Sequence, residues 1–277
     1  MGDVLNFFTT LVDDGYGYSN LCTARSALAS SIILPGYKSL SDHPLVSRYI
    51  KGVFNLRPPA PKYSVMWDAS VLLNYLKGLG ENSILSFKDL TFKTAALLSI
   101  LAGKRVHDIH KISVASIDIT ESIAVCHISG LLKQTRPNYP NKPIKFKAFH
   151  DKSLCPVACL REYMRQRAFL VSADCVSLFV TYIRPHRAAS KDSLSRWVKC
   201  AMKSAGIDIG HFGPGSCRSA STSKGIKMGV PLDLVLSTGS WSNASTFYTF
   251  YCREIIASAH ADTLGDHLLQ DVDETDN

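Results

Sequence analysis

The sequence predicts a mainly α-helical protein with a small antiparallel β-sheet inserted in its larger carboxyl-terminal part, preceded by a smaller all-helical unit. Three observations carry this expectation. Apolar residues recur at helical spacing over most of the 277 residues. The pattern gives way to near-alternation only between Ile112 and Phe149. A proline cluster, Arg57-Pro58-Pro59-Ala60-Pro61, breaks both periods, because proline fixes φ and removes a backbone donor. The expected organisation is a helical unit over 1–56, a linker over 57–64, an α+β unit over 65–261 and an acidic tail over 262–277.

In chain order, 4–11 is apolar at helical spacing, and a Gly15-Tyr16-Gly17-Tyr18 turn separates it from a helix over 20–33. Ser41-Asp42 offers a cap for a third helix over 45–54. Beyond the linker, Asp68 caps a helix reaching Leu79, and 88–102 is a second, strongly apolar one. Ile112, Val114 and Ile117, then Ile123, Val125 and His127, are β-rich and near-alternating. After a Pro-Asn-Tyr-Pro-Asn turn at 137–141, Ile144, Phe146 and Phe149 predict another strand. Pro143 stands at its first residue, where a missing donor is tolerated. Helical spacing returns over 156–170, with Leu160, Tyr163 and Met164 on one face. A strand over 177–182 and a helix over 193–205, capped by Ser190 or Asp192, follow. Three short helices over 217–228, 232–238 and 245–259 complete the set. No period of 20 to 50 residues repeats, which excludes a solenoid.

Composition narrows the function classes. Mean hydropathy is +0.05 and Gly and Pro number 17 and 12, which excludes wholesale disorder and collagen-like repeats. No stretch approaches the ~18 apolar residues of a membrane-spanning helix, so no membrane partner is expected. No charged segment precedes an apolar run at the amino terminus, and Asn6 stands where a myristoylation site wants Ser or Thr. The eight cysteines are scattered with no CxxC pair, as reduced thiols of an intracellular, nuclear or cytoplasmic protein would be. His150, Cys155 and Cys159 lack a fourth ligand at sensible spacing, so no metal is expected.

The net charge of +8 conceals an asymmetry. Six acids (Asp262, Asp266, Asp271, Asp273, Glu274 and Asp276) lie in the tail; with them set aside, 31 basic residues face 17 acids. From Cys126 to Arg167 nine basic residues (Lys133, Arg136, Lys142, Lys145, Lys147, Lys152, Arg161, Arg165 and Arg167) face two acids. Such a body suits a polyanion, nucleic acid first, although a solubilising surface has the same composition.

Four local features carry possible chemistry. Gly103-Lys104-Arg105-Val106-His107-Asp108 follows a buried helix, with Asp108 spaced to hold the Arg105 guanidinium; an ordinary surface ion pair has the same spacing. Leu132-Lys133-Gln134-Thr135-Arg136-Pro137 lies at the tip between two strands, where a lysine is aimed into a groove or simply solvated. Gly213-Pro214-Gly215-Ser216-Cys217-Arg218 starts a helix, a place that favours a phosphate or is merely capped. The segment from Trp241 to Tyr251 sets Phe247 and Tyr248 at i−4 and i−3 from Tyr251, the spacing of an aromatic core stripe.

Together, Arg, hairpin Lys, Arg, Trp and a Tyr near the carboxyl end, in this order and separation, resemble the tyrosine recombinase (phage integrase) family. The phrasing is most similar to the branch carried by DIRS-type retrotransposons. Lys51-Gly52-Val53-Phe54 with Arg57-Pro58-Pro59, residues 132–137, residues 216–224, and Trp241-Ser242-Asn243 through Thr246-Phe247 to Phe250-Tyr251-Cys252-Arg253 carry it. The motifs are individually loose and jointly specific, and they cover the chain to about residue 256.

The resemblance implies a core-binding domain over 1–56 and a catalytic domain over 65–261. Arg105 and Arg218 would grip the non-bridging oxygens of a DNA phosphate, and Trp241 would donate one more hydrogen bond. Tyr251 would attack phosphorus to give a 3′-phosphotyrosine, and Lys133 would protonate the leaving 5′ oxygen, with no ATP, metal or small-molecule cofactor. Lys104, Arg136, Lys142, Lys145 and Lys224 are expected to contact double-stranded DNA, on which the family assembles as a homo-tetramer. A type IB topoisomerase shares this chemistry. The family usually has His three residues before the second arginine; Gly215 stands there, His211 is wrongly spaced, and a DNA-binding relic is the rival expectation. Tyr248 competes with Tyr251, but on a continuous helix the two diverge by about 60°.

Overall fold

A computed structural model describes residues 1–128, 130–132, 135 and 141–256. The chain divides into two compact units, Met1–Lys62 and Tyr63–Asn277. The first holds three helices: α1 (Gly2–Asp13), α2 (Tyr18–Ser31) and α3 (Pro44–Leu56). Pro44 opens α3 at a position where its missing N–H costs nothing. Phe8, Leu21, Leu40, Val46, Ile50 and Val53 form its core, so the apolar stripes of the three helices meet one another. Arg57 Nη1 donates to the carbonyls of Val12 at 2.8 Å and Tyr16 at 3.3 Å, tying the end of α3 to the α1–α2 turn.

In the second unit α4 (Ala69–Gly78) and α5 (Phe87–Ala102) are followed by the short α6 (Val106–His110), which periodicity alone does not reveal. Asp68 and Ser86 cap α4 and α5 through their side-chain oxygens. Helix α5 is the hub. It is apolar nearly all round, and it packs against three later helices: α7 (Pro156–Ala168), α8 (Lys191–Ser204) and α9 (Ser216–Lys227). Helices α10 (Leu232–Gly239) and α11 (Ala244–Phe250) close the unit.

The antiparallel sheet consists of β2 (Ile112–Ile119), β3 (Ile123–Ile128) and β4 (Ile144–Lys147), in that spatial order. Cys126 pairs with Ile117 on one side and with Ile144 on the other. Ala124, Cys126, Ile144 and Phe146 are buried, whereas Lys145 and Lys147 alternate outward on β4, as a half-buried strand requires. Two further strands of two residues each, β1 (Val65–Met66) and β5 (Glu254–Ile255), pair in parallel. They are too short to show a period in the sequence.

Two expectations require correction. The strand expected over 177–182 forms only isolated bridges, Ser113 with Ser177 and Val180 with Ala188. Arg167 explains why. It is 6 % exposed, and its guanidinium takes the carbonyls of Cys175, Ser177 and Leu178, which a ladder would otherwise use. Arg167, counted above with the basic surface, is thus an internal tie. The helix expected over 245–259 ends at Phe250. There Arg253 turns back and donates to the carbonyls of Tyr248, Thr249 and Cys252, capping the last turn with a cation. The acidic tail, the last residues of that expected helix, Lys133 and Arg136 lie outside the described residues.

Because Leu97 sits fully buried on α5, Leu97→Ala is expected to cost about 2–5 kcal/mol, read as a loss of unfolding free energy in urea.

Candidate active site

The site begins where α5 stops. Gly103 takes the left-handed conformation (φ +56°), which an L side chain adopts only with strain. A Cβ there would lie 3.5 Å from Thr222 of α9 and 3.7 Å from Thr238 of α10, so the helix end is seated directly against both. The chain then turns, burying Lys104 at 7 % exposure and making Arg105 the residue that opens α6. Asp108 fixes this turn. Its Oδ2 accepts the Arg105 N–H at 3.3 Å and lies 3.9 Å from Arg105 Nη1.

Helix α9 brings the second arginine. Ser216 at its start accepts from Trp67 Nε1 at 2.9 Å and donates to the Gly213 carbonyl at 2.7 Å. Two residues on, Arg218 is 3 % exposed. Its guanidinium carbon lies 3.8 Å from the centre of the Trp241 ring and 5.0 Å from that of Tyr251. The two rings meet edge to face, 4.9 Å apart. Gly239 is obligatory here, because a Cβ on it would collide with the Trp241 ring. Tyr251 lies just past the end of α11, so the angular argument for a continuous helix does not apply to it. Instead Ser223 of α9 donates to the Tyr251 carbonyl at 3.2 Å and accepts the Arg253 N–H at 3.0 Å, and β5 follows at once. Tyr248 is exposed, and its ring meets Phe247.

These groups form a cluster of cations with too few acceptors. Among the described residues, Nε, Nη1 and Nη2 of Arg218 and Nε1 of Trp241 are buried with no hydrogen-bond partner. Burial, then the charge of Arg105, pulls the Arg218 guanidinium down to about 10, against smaller opposing effects of Tyr251 and Asp108. Burial likewise brings Lys104 down to about 8, with Arg218, Arg105 and Lys142 adding repulsion and Asp108 opposing it. Nearly all buried donors in proteins find a partner. Four unpartnered donors around a buried guanidinium therefore describe a place for an anion with several acceptor oxygens.

The remaining expected residues fall elsewhere. Lys142 lines a cavity of about 300 Å³ together with Lys104, Asp108, Ser240 and Trp241, whereas Lys145 is exposed on β4. Lys224, expected to reach DNA, has its ammonium on Asp68 Oδ2 at 2.8 Å, bracing α9 against the start of α4. Gly215 is exposed, and a Cβ on it would meet nothing within 4 Å. His211 packs its ring against Tyr63 and Phe212. Sequence reasoning missed Ser223 and Gly239, and it gave Lys104 as a DNA contact without its burial. Only the Gly103-Lys104-Arg105 run hinted that the lysine enters the interior.

Solved structures resemble this one, three of them as follows. The Tn1549 transposon integrase, in complex with transposon right end DNA, aligns with a TM-score of 0.59 at 13% identity, covering 99% of this chain and 85% of that one. The XerA recombinase aligns at 0.51 and 16% identity, covering 99% and 89%. The XerH site-specific recombinase bound to difH substrate aligns at 0.52 and 12% identity; this chain is covered to 84% but spans only 66% of the XerH chain. No protein-family model matches the sequence, and no curated protein does. At these identities the likeness concerns the fold, which is that of the tyrosine recombinase catalytic domain, helices around a small antiparallel sheet.

A buried guanidinium without a partner is a stability cost. Arg218→Met is expected to raise the unfolding free energy by about 1–2 kcal/mol in sulfate-free buffer. It should also lose the stabilisation that sulfate confers on the wild type, as urea denaturation with and without the anion will measure.

Proposed function

We propose that this chain is a DNA strand-transfer enzyme of the tyrosine recombinase type, acting on double-stranded DNA through a 3′-phosphotyrosine intermediate. The observation that carries the reading is the buried Arg218 guanidinium, unpartnered among the described residues, with Arg105 beside it and the Tyr251 ring against it. In this reading the two guanidiniums and the Trp241 N–H bind the non-bridging oxygens of one DNA phosphate. They stabilise the charge that builds there as phosphorus becomes five-coordinate. The Tyr251 oxygen bonds to phosphorus and releases its proton to water, while the bond from phosphorus to the 5′ oxygen breaks. Lys133 protonates that leaving oxygen. The ester energy is kept in the phosphotyrosine, so the reverse attack by a 5′ hydroxyl rejoins the strand without a nucleotide cofactor.

Motif phrasing supports placement in the branch carried by DIRS-type retrotransposons, and the family resemblance supports a homo-tetramer on DNA. Lys104, Arg136, Lys142 and Lys145 supply further phosphate contacts, so binding weakens steeply with salt. Gly215 favours a second reading, a DNA-binding relic whose catalysis has decayed, because a glycine offers no side chain to exchange protons. Relaxation of a supercoiled plasmid by a monomer would favour the topoisomerase.

A nicked suicide duplex separates these readings. The wild type is expected to form a covalent protein–DNA adduct and Tyr251→Phe none; binding without an adduct overturns the enzymatic reading, and an adduct that survives in Tyr251→Phe identifies another nucleophile. Gly215→His is expected to fold with stability changed by no more than about 0.5 kcal/mol, since the position is open and its φ is ordinary. If a general acid or base is missing there, the same variant should accelerate adduct formation by roughly 10²-fold or more in single-turnover kinetics.

A further inference from the structure

Among the described residues two lysines are buried in the second unit, and they differ in kind. Lys93 is fully enclosed on α5, and its ammonium donates to the Gly80 carbonyl at 2.7 Å, with Cys159 and Asp151, not further cations, acting on it. Lys104 donates to the Ser240 hydroxyl, on a residue that itself sits at φ +57°, a conformation non-glycine residues rarely adopt. Around its ammonium stand Arg105, Arg218 and Lys142, with Asp108 as the opposing carboxylate and Asp233 of α10 lining the same cavity. An ammonium has three donors, and a core position one residue before Arg105 needs none of them for packing. Its cost is explained if the cavity, whose wall includes Trp241 and Asp108, receives an anion.

We infer that Lys104 is a third cation of the phosphate site, its ammonium contacting a phosphate oxygen from the cavity it shares with Asp108, Ser240 and Trp241. The inference rests on the anion-site part of the proposed function and deepens it. Lys104 restores a side-chain donor to a site in which Gly215 supplies none. It also confers a pH dependence that two arginines alone cannot. With the site empty, burial and the neighbouring cations hold Lys104 at about 8. A bound anion returns a counter-charge and raises it, so binding takes up a proton and weakens as pH rises through that value. Arg218, at about 10, keeps its charge over the same interval.

Sulfate is the suitable probe, because its own charge is constant from pH 6 to 9. Titration calorimetry on the full chain at constant ionic strength is expected to show wild-type affinity falling about tenfold between pH 7 and pH 9. Lys104→Arg should keep the pH 7 affinity and lose the fall. Lys104→Met should bind about tenfold more weakly at pH 7, also without the fall. A fall that persists in Lys104→Arg, a Lys104→Met that binds as the wild type does, or a wild type with no fall or no binding overturns the inference. The wild-type profile and Lys104→Arg decide the matter even if Lys104→Met folds poorly. Sulfate binding requires no strand cleavage, so the two readings fail separately. Lys104-dependent binding without any DNA adduct would sink the enzyme and keep this inference; adducts formed by Lys104→Met at the wild-type rate, with unchanged sulfate binding, would do the reverse.

Discussion

The constraint on which this structure turns is the burial of the Arg218 guanidinium with no hydrogen-bonding carboxylate among the described residues. A charge removed from water normally brings a partner with it, because desolvating a lone cation costs several kcal/mol. Here the nearest surroundings are two aromatic rings, Trp241 and Tyr251, and another arginine's charge. Stacking on the rings recovers part of the cost and leaves the in-plane N–H groups free for a ligand. Everything close by serves that stacking: Gly239 clears room for the indole, Ser223 holds the Tyr251 backbone, and the β1–β5 pair anchors the chain immediately after it.

The same economy governs the other half of the site. Helix α5 is the most buried element, and its left-handed end at Gly103 delivers Lys104 and Arg105 in consecutive positions. Asp108 is the carboxylate bound to this run, and its geometry is spent on orienting the Arg105 turn. Among the described residues, Lys104, Arg105, Arg218 and Lys142 therefore outnumber Asp108 and Asp233 around the site. Such a surplus destabilises the fold, and under the proposed function it would give a phosphate a place prepared in advance, since the donors would need no reorganisation as charge develops.

The likeness of fold to the solved recombinases and integrases and the local chemistry are independent lines. The fold at 12 to 16% identity says how the helices surround the sheet, not what the side chains do. The side chains speak through burial and through donors left without partners among the described residues, an arrangement that suits an oxyanion with several acceptor oxygens under the proposed reading. Gly215 is the position where the two lines part, because the family resemblance asks for an imidazole and the structure offers open space.

Much of the architecture is legible in the sequence, because helical periodicity, caps such as Asp68 and Ser190, and the β-rich segment between Ile112 and Phe149 are local properties. So too are the identities of the residues that could grip a phosphate, since charge and aromaticity are written in the side chain itself. What the sequence could not decide was partnership. That Arg167 binds loop carbonyls while Arg218 keeps its donors free, that Lys224 answers Asp68 while Lys104 enters a cavity, and that Tyr251 leaves the helix to meet an arginine are matters of tertiary structure. The reason is physical: a charged group's role depends on what desolvates and what neutralises it, and both come from chain segments distant in sequence.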